Sequence, residues 1–299
     1  MAKHKLNRNR SILYITLWVL ALTMLFAALL KGTDIRMLNP KGMIAQDELK
    51  LIVYSTAVLL AIAVPTLSFL YFFAWKYRES NTKAAYDPNK KHGKFFIFSL
   101  WAIPIVFMLV LAPVMWIGTH ELAPQKSITS SNKTLTVQVI AQRWKWLFIY
   151  PEQHVATVNF VQVPVNTPVQ FDLTADDSPM SSFWIPHWGG QLYAMTGMTN
   201  TLNLMPTMTG DSEGSSAEIN GEGFAGMKFI ARASSQQDFD DWVLRVKQSP
   251  NVLDMVEYER LLKPSENNPT VFYSKADADL YDTVVMKYMG SHDHHMGQE

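Results

Sequence analysis

The sequence predicts a membrane helical hairpin that carries an all-β outer domain and ends in helices. Three observations predict it. The runs 12–30, 51–75 and 95–117 contain no charged residue, and each is long enough for a bilayer-crossing helix, which takes about 20 apolar residues. After Ile117 the chain turns polar and breaks into short alternating segments punctuated by Gly and Pro, the pattern of a β-sandwich or barrel. Beyond residue 235 the apolar residues recur at helical spacing.

The first run has a basic front and an apolar middle, which suits a signal peptide as well as a retained span. Its length, the lack of a clean small-x-small site and the absence of a lipid-accepting cysteine favour an extra N-terminal span. Orientation follows from the flanking cations. Lys3, Lys5, Arg8 and Arg10 precede the first run, and Lys76, Arg78, Lys83, Lys90, Lys91 and Lys94 join the second to the third. Both segments are expected inside, although Lys31, Arg36, Lys41 and Lys50 dilute the contrast on the outer loop. Pro65, Pro104 and Pro113 are tolerated in membrane helices packed on neighbours.

Residues 120–133 read as a polar linker. Strands follow at 134–140, 144–150, 154–163 and 169–174, then shorter ones at 182–185, 192–195, 201–204, 216–219 and 227–231. Helices are expected over 237–248, where Phe239, Trp242, Val243 and Val246 share a face, and over 252–262 and 276–288. The chain thus divides into an N-terminal span or signal segment with its outer loop (1–50), a helical hairpin (51–118), the outer β domain (119–235) and a helical extension with a histidine tail (236–299).

Composition excludes more than it suggests. With no cysteine in 299 residues, disulfides, zinc–thiolate sites and cysteine nucleophiles are all ruled out. A formal net charge of zero gives no reason to expect a nucleic-acid partner. His120, His154 and His187 are scattered, and His292, His294 and His295 suit a solvated tail better than a metal site. Asp176 and Asp177 ahead of Ser178 and Pro179 read as a turn. No residue presents itself as catalytic or cofactor-binding. Trp144, Trp146 and Phe148 fall on one face of a predicted strand. Such a stripe is ordinarily core, but it also fits a contact surface beside the membrane.

Residues 139–146 (VIAQRWKW), after the hairpin and linker, make the chain resemble subunit II of the haem-copper respiratory oxidases. So do 73–78 (FAWKYR) and 101–104 (WAIP). Residues 182–186 (SFWIP), 191–195 (QLYAM), 223–229 (GFAGMKF), 239–243 (FDDWV) and 247–250 (KQSP) resemble its quinol-oxidising branch. The resemblance implies a cupredoxin-like outer domain. Relatives that oxidise cytochrome c hold a dinuclear copper centre there. Their two histidine positions fall on Ser181 and Phe224, and their two cysteine positions on Ser216 and Asn220, while Glu218 and Met227 keep the family's residue types. Copper of that kind needs soft thiolates, so the resemblance implies that this chain holds neither metal nor other cofactor.

It further implies that haems and copper sit in subunit I. Subunits I, III and IV and membrane lipids are the expected partners, with ubiquinol as substrate of the whole enzyme. The location it implies is the bacterial inner membrane, with the C-terminal domain expected in the periplasm. Trp144 and Trp146 would form part of a cap on subunit I. Ile97 stands where relatives carry a glutamate at the entrance of a proton channel.

Overall fold

The computed structural model describes residues 35–82 and 93–289, with Leu17, Ala21, Met24 and Leu25 ahead of them. Apart from those four positions the span expected over 12–30 lies outside the described residues, as do its basic front, Lys83, Lys90, Lys91 and the histidine tail.

Helix α1 spans Met43–Lys76 and α2 spans Lys94–Glu121. Both are long and apolar enough to cross a membrane. The helix thus starts ahead of the uncharged run, because the polar stretch 43–50 has its own partners in the outer domain. Helix α1 tolerates Pro65, and Thr66 Oγ1 beside it donates to the Ile62 carbonyl. The apolar side chains of both helices point outward: Tyr71 is 72% exposed and Trp101 71%. In water that surface would be untenable; in a bilayer it is the solvated face.

The outer domain is a two-sheet sandwich. Its strands are β1 Leu135–Gln142, β2 Lys145–Tyr150, β3 Val155–Val158, β4 Phe160–Pro164, β5 Val169–Ala175 and β6 Ser181–Trp184. Then come β7 Gln191–Ala194, β8 Asn200–Leu204, β9 Gly210–Ser216, β10 Lys228–Ser234 and β11 Val271–Tyr273. One sheet has the order β11-β3-β2-β1-β5-β8 and the other β4-β10-β9-β6-β7. The single strand expected over 154–163 is two strands in different sheets. Asn159 divides them with a left-handed φ of 54°, a conformation asparagine tolerates. Its Oδ1 accepts from Trp146 N at 2.9 Å and its own N–H donates to Trp146 O at 2.9 Å. The strand expected over 216–219 instead ends at Ser216, and its true body, 210–216, is rich in Gly and Ser with no apolar alternation to reveal it.

Among the described residues three further helices follow, α3 Gln236–Val246, α4 Met255–Leu261 and α5 Leu280–Met289. Ser235 caps α3 through its hydroxyl to Asp238 N, and Asp254 caps α4 to Glu257 N. Strand β2 is buried along its whole length because each of its faces has a different cover. Trp146, Phe148 and Tyr150 enter the core between the sheets, while Leu147 and Ile149 enter a second core. Leu253, Tyr258, Tyr281 and Val284 of the C-terminal extension build that second core.

The hairpin is fastened to the sandwich at its entrance. Lys41 N donates to His187 O (2.7 Å), Met43 N to Met205 O (2.9 Å) and Ala45 N to Trp188 O (3.1 Å). Glu48 accepts from Gly190 N at 3.0 Å, and Ile44 joins the main core. Gly189 makes this approach possible. Its φ is +96°, and a Cβ there would lie 2.5 Å from Ala45 N.

Candidate functional site

Five of the six positions at which the resemblance would put copper ligands meet at one end of the sandwich. Ser181 opens β6 and Ser216 closes β9; these strands pair, which brings the two serines together. The loop after β9 carries Glu218 and Asn220, a 3-10 turn over Glu222–Gly226 follows, and Met227 leads into β10. Asn220 Nδ2 donates to Ser181 Oγ at 2.7 Å and lies 3.1 Å from Met227 Sδ. Ser216 Oγ donates to the Glu218 carbonyl at 2.9 Å and accepts from Ser182 N at 3.3 Å. Ser181, Ser216, Asn220 and Met227 are buried. The Glu218 side chain is exposed, and Phe224 is half-buried in the turn.

Two hydroxyls, an amide and a thioether make a neutral cluster. Its one soft atom, Met227 Sδ, already faces the Asn220 amide. No thiolate or imidazole is present to bind copper tightly. Among the described residues no group of three or more His, Cys, Asp or Glu is placed to hold a metal ion. Asn220 Oδ1 is buried without a hydrogen-bond partner among the described residues. A single carbonyl-type oxygen beside two hydroxyls suits a water better than a soft metal. The residues do not fit a dinuclear copper centre.

Trp144 covers this cluster. It is not in the strand, as expected from alternation, but in the β1–β2 turn with φ of 62°. Its Nε1 donates to Asn220 O at 3.4 Å. Its ring lies so close on Gly223 that a Cβ there would come within 2.4 Å. Trp146, the other expected cap residue, is fully buried and packs edge-on against Phe183 (5.3 Å between centroids) and Phe229 (5.9 Å). It is a core residue: Trp146, Phe148 and Tyr150 alternate into the space between the sheets, while the turn at Arg143–Trp144 takes Trp144 out of the strand. Ile97 lies near the start of α2 with its side chain 50% exposed. His120, His154 and His187 fall on α2, on the turn before β3 and in the loop after β6, on separate elements.

A second constellation was not legible as such. Asp176, read as part of a turn, is fully buried. It accepts from Tyr258 OH (2.6 Å), Lys287 Nζ (2.8 Å) and Tyr288 OH (2.6 Å), all from the C-terminal extension. The Asp176 carboxylate, through its hydrogen bond, raises the Lys287 pKa above its ordinary value. Burial first, and Asp176 second, push both tyrosine hydroxyls up. Lys145 anchors the same extension at a second point, donating to Leu261 O (2.7 Å) and Lys263 O (2.8 Å) at the end of α4. Burial lowers its pKa.

The family model described as the COX aromatic rich motif matches residues 247–292, the segment that closes the second core and holds Asp176. Over 262 residues the chain is 46% identical to the cytochrome bo(3) ubiquinol oxidase subunit 2 of Pseudomonas putida, covering 88% of this chain and 83% of that protein. The chain belongs to the ubiquinol oxidase subunit 2 family. The ubiquinol oxidase subunit 2 of Acetobacter aceti is a 41% identical relative over 264 residues, covering 88% of this chain and 85% of that one. Among solved structures, the periplasmic domain of subunit II of cytochrome oxidase from Bradyrhizobium japonicum is 22% identical. It aligns over 40% of this chain and 96% of its own, with a TM-score of 0.37. As a member of this family, the chain has a two-sheet β domain, two apolar helices and C-terminal helices. Its aromatic rich motif is the part that seals the outer face of β1, β2 and β3.

Proposed function

We propose that this chain is the scaffold subunit of a cytochrome bo-type ubiquinol oxidase in a bacterial inner membrane. It would lack a dinuclear copper centre and take no direct part in electron transfer. One observation carries this reading: the neutral, hydrogen-bonded cluster of Ser181, Ser216, Asn220 and Met227, covered by Trp144. A soluble electron donor would need a metal there to receive its electron. Without one, electrons enter where a membrane-dissolved quinol is oxidised, and haems, copper, oxygen reduction and proton translocation belong to subunit I. The hairpin docks in the bilayer on that subunit, alongside subunits III and IV. The outer domain, on the periplasmic side by the distribution of lysine and arginine, caps the complex, with Trp144 at or near the contact. Ile97 carries no proton, so proton uptake is left to subunit I.

Detergent extraction tests the reading. The chain is expected to co-purify with a haem-bearing membrane protein. The complex should consume oxygen with ubiquinol and not with reduced cytochrome c, and its copper content should match subunit I alone. A chain that runs alone and colourless, with quinol oxidation surviving its deletion, overturns the proposal and favours a free-standing membrane-anchored module. Oxygen uptake from cytochrome c overturns the copper-free part.

A further inference from the structure

The outer ends of α1 and α2 and the linker that follows them enclose a cavity of about 890 Å³. The helices touch at its outer end, where Gly118 lies so close to Leu51 that a Cβ would stand 2.6 Å from Cδ1. The linker forms the remaining wall and is held by the sandwich, since Asn203 N donates to Pro124 O at 2.9 Å. Below the mouth the lining is apolar, with Leu51, Tyr54 and Val58 from α1 and Val114 and Ile117 from α2. Val58 also lines a second apolar cavity of about 410 Å³ that reaches Ile62, Pro104 and Leu111. From Lys50 to Ile62 the helix rises about 18 Å at 1.5 Å per residue. One leaflet's hydrocarbon is about 15 Å deep, half of a core about 30 Å thick.

The mouth carries four charges, Asp47, Lys50, Glu121 and Lys126. Asp47 and Lys50 satisfy each other at 2.7 Å. That leaves one carboxylate, Glu121, and one ammonium, Lys126, both past the outer end of the uncharged run 95–117, where a headgroup would lie if that run fills the hydrocarbon. From the charge pattern and the depth together we infer that this groove is a binding site for one phospholipid of the phosphatidylethanolamine class. Its phosphate pairs with Lys126, its primary ammonium donates to Glu121, and an acyl chain follows Leu51, Tyr54 and Val58 toward Ile62. An anionic headgroup would leave the carboxylate facing like charge, and a quaternary ammonium has no N–H to donate. An isoprenoid tail would leave both charges unanswered.

Native mass spectrometry of the complex, purified in a mild detergent, tests this. The wild type is expected to retain one phosphatidylethanolamine more than a Glu121→Lys variant, which should hold phosphatidylglycerol instead. The double swap of Glu121→Lys with Lys126→Glu should recover phosphatidylethanolamine. Ala57→Trp, which fills the groove, should lose that lipid with haem content unchanged. Identical lipid counts in all these proteins overturn the site, as does a quinone being the molecule that Ala57→Trp displaces. The site lies wholly within this chain, in the hairpin and the linker after it: if the chain purified alone, the oxidase reading would fail while the same lipid counts could still be read on the chain.

Discussion

The two halves of this molecule treat large apolar side chains in opposite ways. In α1 and α2 they face outward, with Tyr71 and Trp101 more than two-thirds exposed. In the sandwich and its C-terminal cover, Trp146, Phe148, Tyr150, Phe183 and Tyr258 are essentially closed off. The outer domain therefore completes its own fold, whereas the hairpin is completed only by what surrounds it. Large aromatic residues stabilise the first half by packing and serve the second as a surface offered to lipid or to a partner.

The strongest way to break this contrast is a matched pair of truncations. Trp146→Ala is expected to destabilise the outer domain by about 3–5 kcal/mol, the range for emptying a packed aromatic site. Trp101→Ala should leave the melting of the outer domain within about 0.5 kcal/mol, as at a surface position. Thermal unfolding of each variant, followed by near-ultraviolet circular dichroism in detergent, checks both. Equal losses would erase the distinction.

Asp176→Ala sharpens it within the outer domain. Removing one partner of a buried ionic cluster costs about 3 kcal/mol, and here it leaves Tyr258, Tyr288 and Lys287 without their common acceptor. The expected sign is early proteolytic cleavage in 255–289 while the sandwich stays resistant. Because the Lys287 pKa is raised in the fold, its contribution is complete below the ordinary lysine value and is lost as pH rises through the raised one. An alkaline melt should thus release the extension first in the wild type and show no such step in the variant.

Asn220→Ala should cost about 1–2 kcal/mol, the scale of a hydrogen bond lost from a buried partner. Quinol-dependent oxygen uptake per haem should not change. A fall in turnover without a fall in melting temperature would give the cluster a role beyond packing. Smallest is Asp211→Asn. Arg232 forms a bidentate pair with Asp211 (2.6 and 2.7 Å) and lowers its pKa by that hydrogen bond. The pair is half-exposed, so about 0.2–1 kcal/mol is at stake. That difference should be present at neutral pH and vanish as pH falls through the lowered Asp211 value.

Much of this was legible in the sequence, and the failures have identifiable causes. Uncharged runs announce membrane helices because few other structures tolerate them, so α1 and α2 were plain. Alternation found β1, β5, β8 and β10, but it could not see that β2 has two covers. A strand buried on both faces carries no polar side to mark its phase, and so Trp144 and Trp146 were read as equivalent. Asn159 and Trp144 adopt left-handed conformations that sequence signals weakly outside glycine. The serine and asparagine at 181, 216 and 220 stood out only against the family's pattern, since their mutual hydrogen bonds join residues far apart in the chain. The turn at Asp176–Ser178 is there, but the burial of Asp176 was hidden for the same reason: its three partners lie more than eighty positions downstream.

The fastening at Lys41–Glu48 and the hold of Asn203 on Pro124 together form a two-point mount, one on the way into the membrane and one on the way out. A domain on a single flexible stalk would swivel and search for its seat, losing rotational freedom each time it docked. Here the first turn of α1 fixes the heading of the sandwich about the membrane normal. Whatever sets the hairpin's orientation in a bilayer therefore also sets which face the sandwich turns to either side.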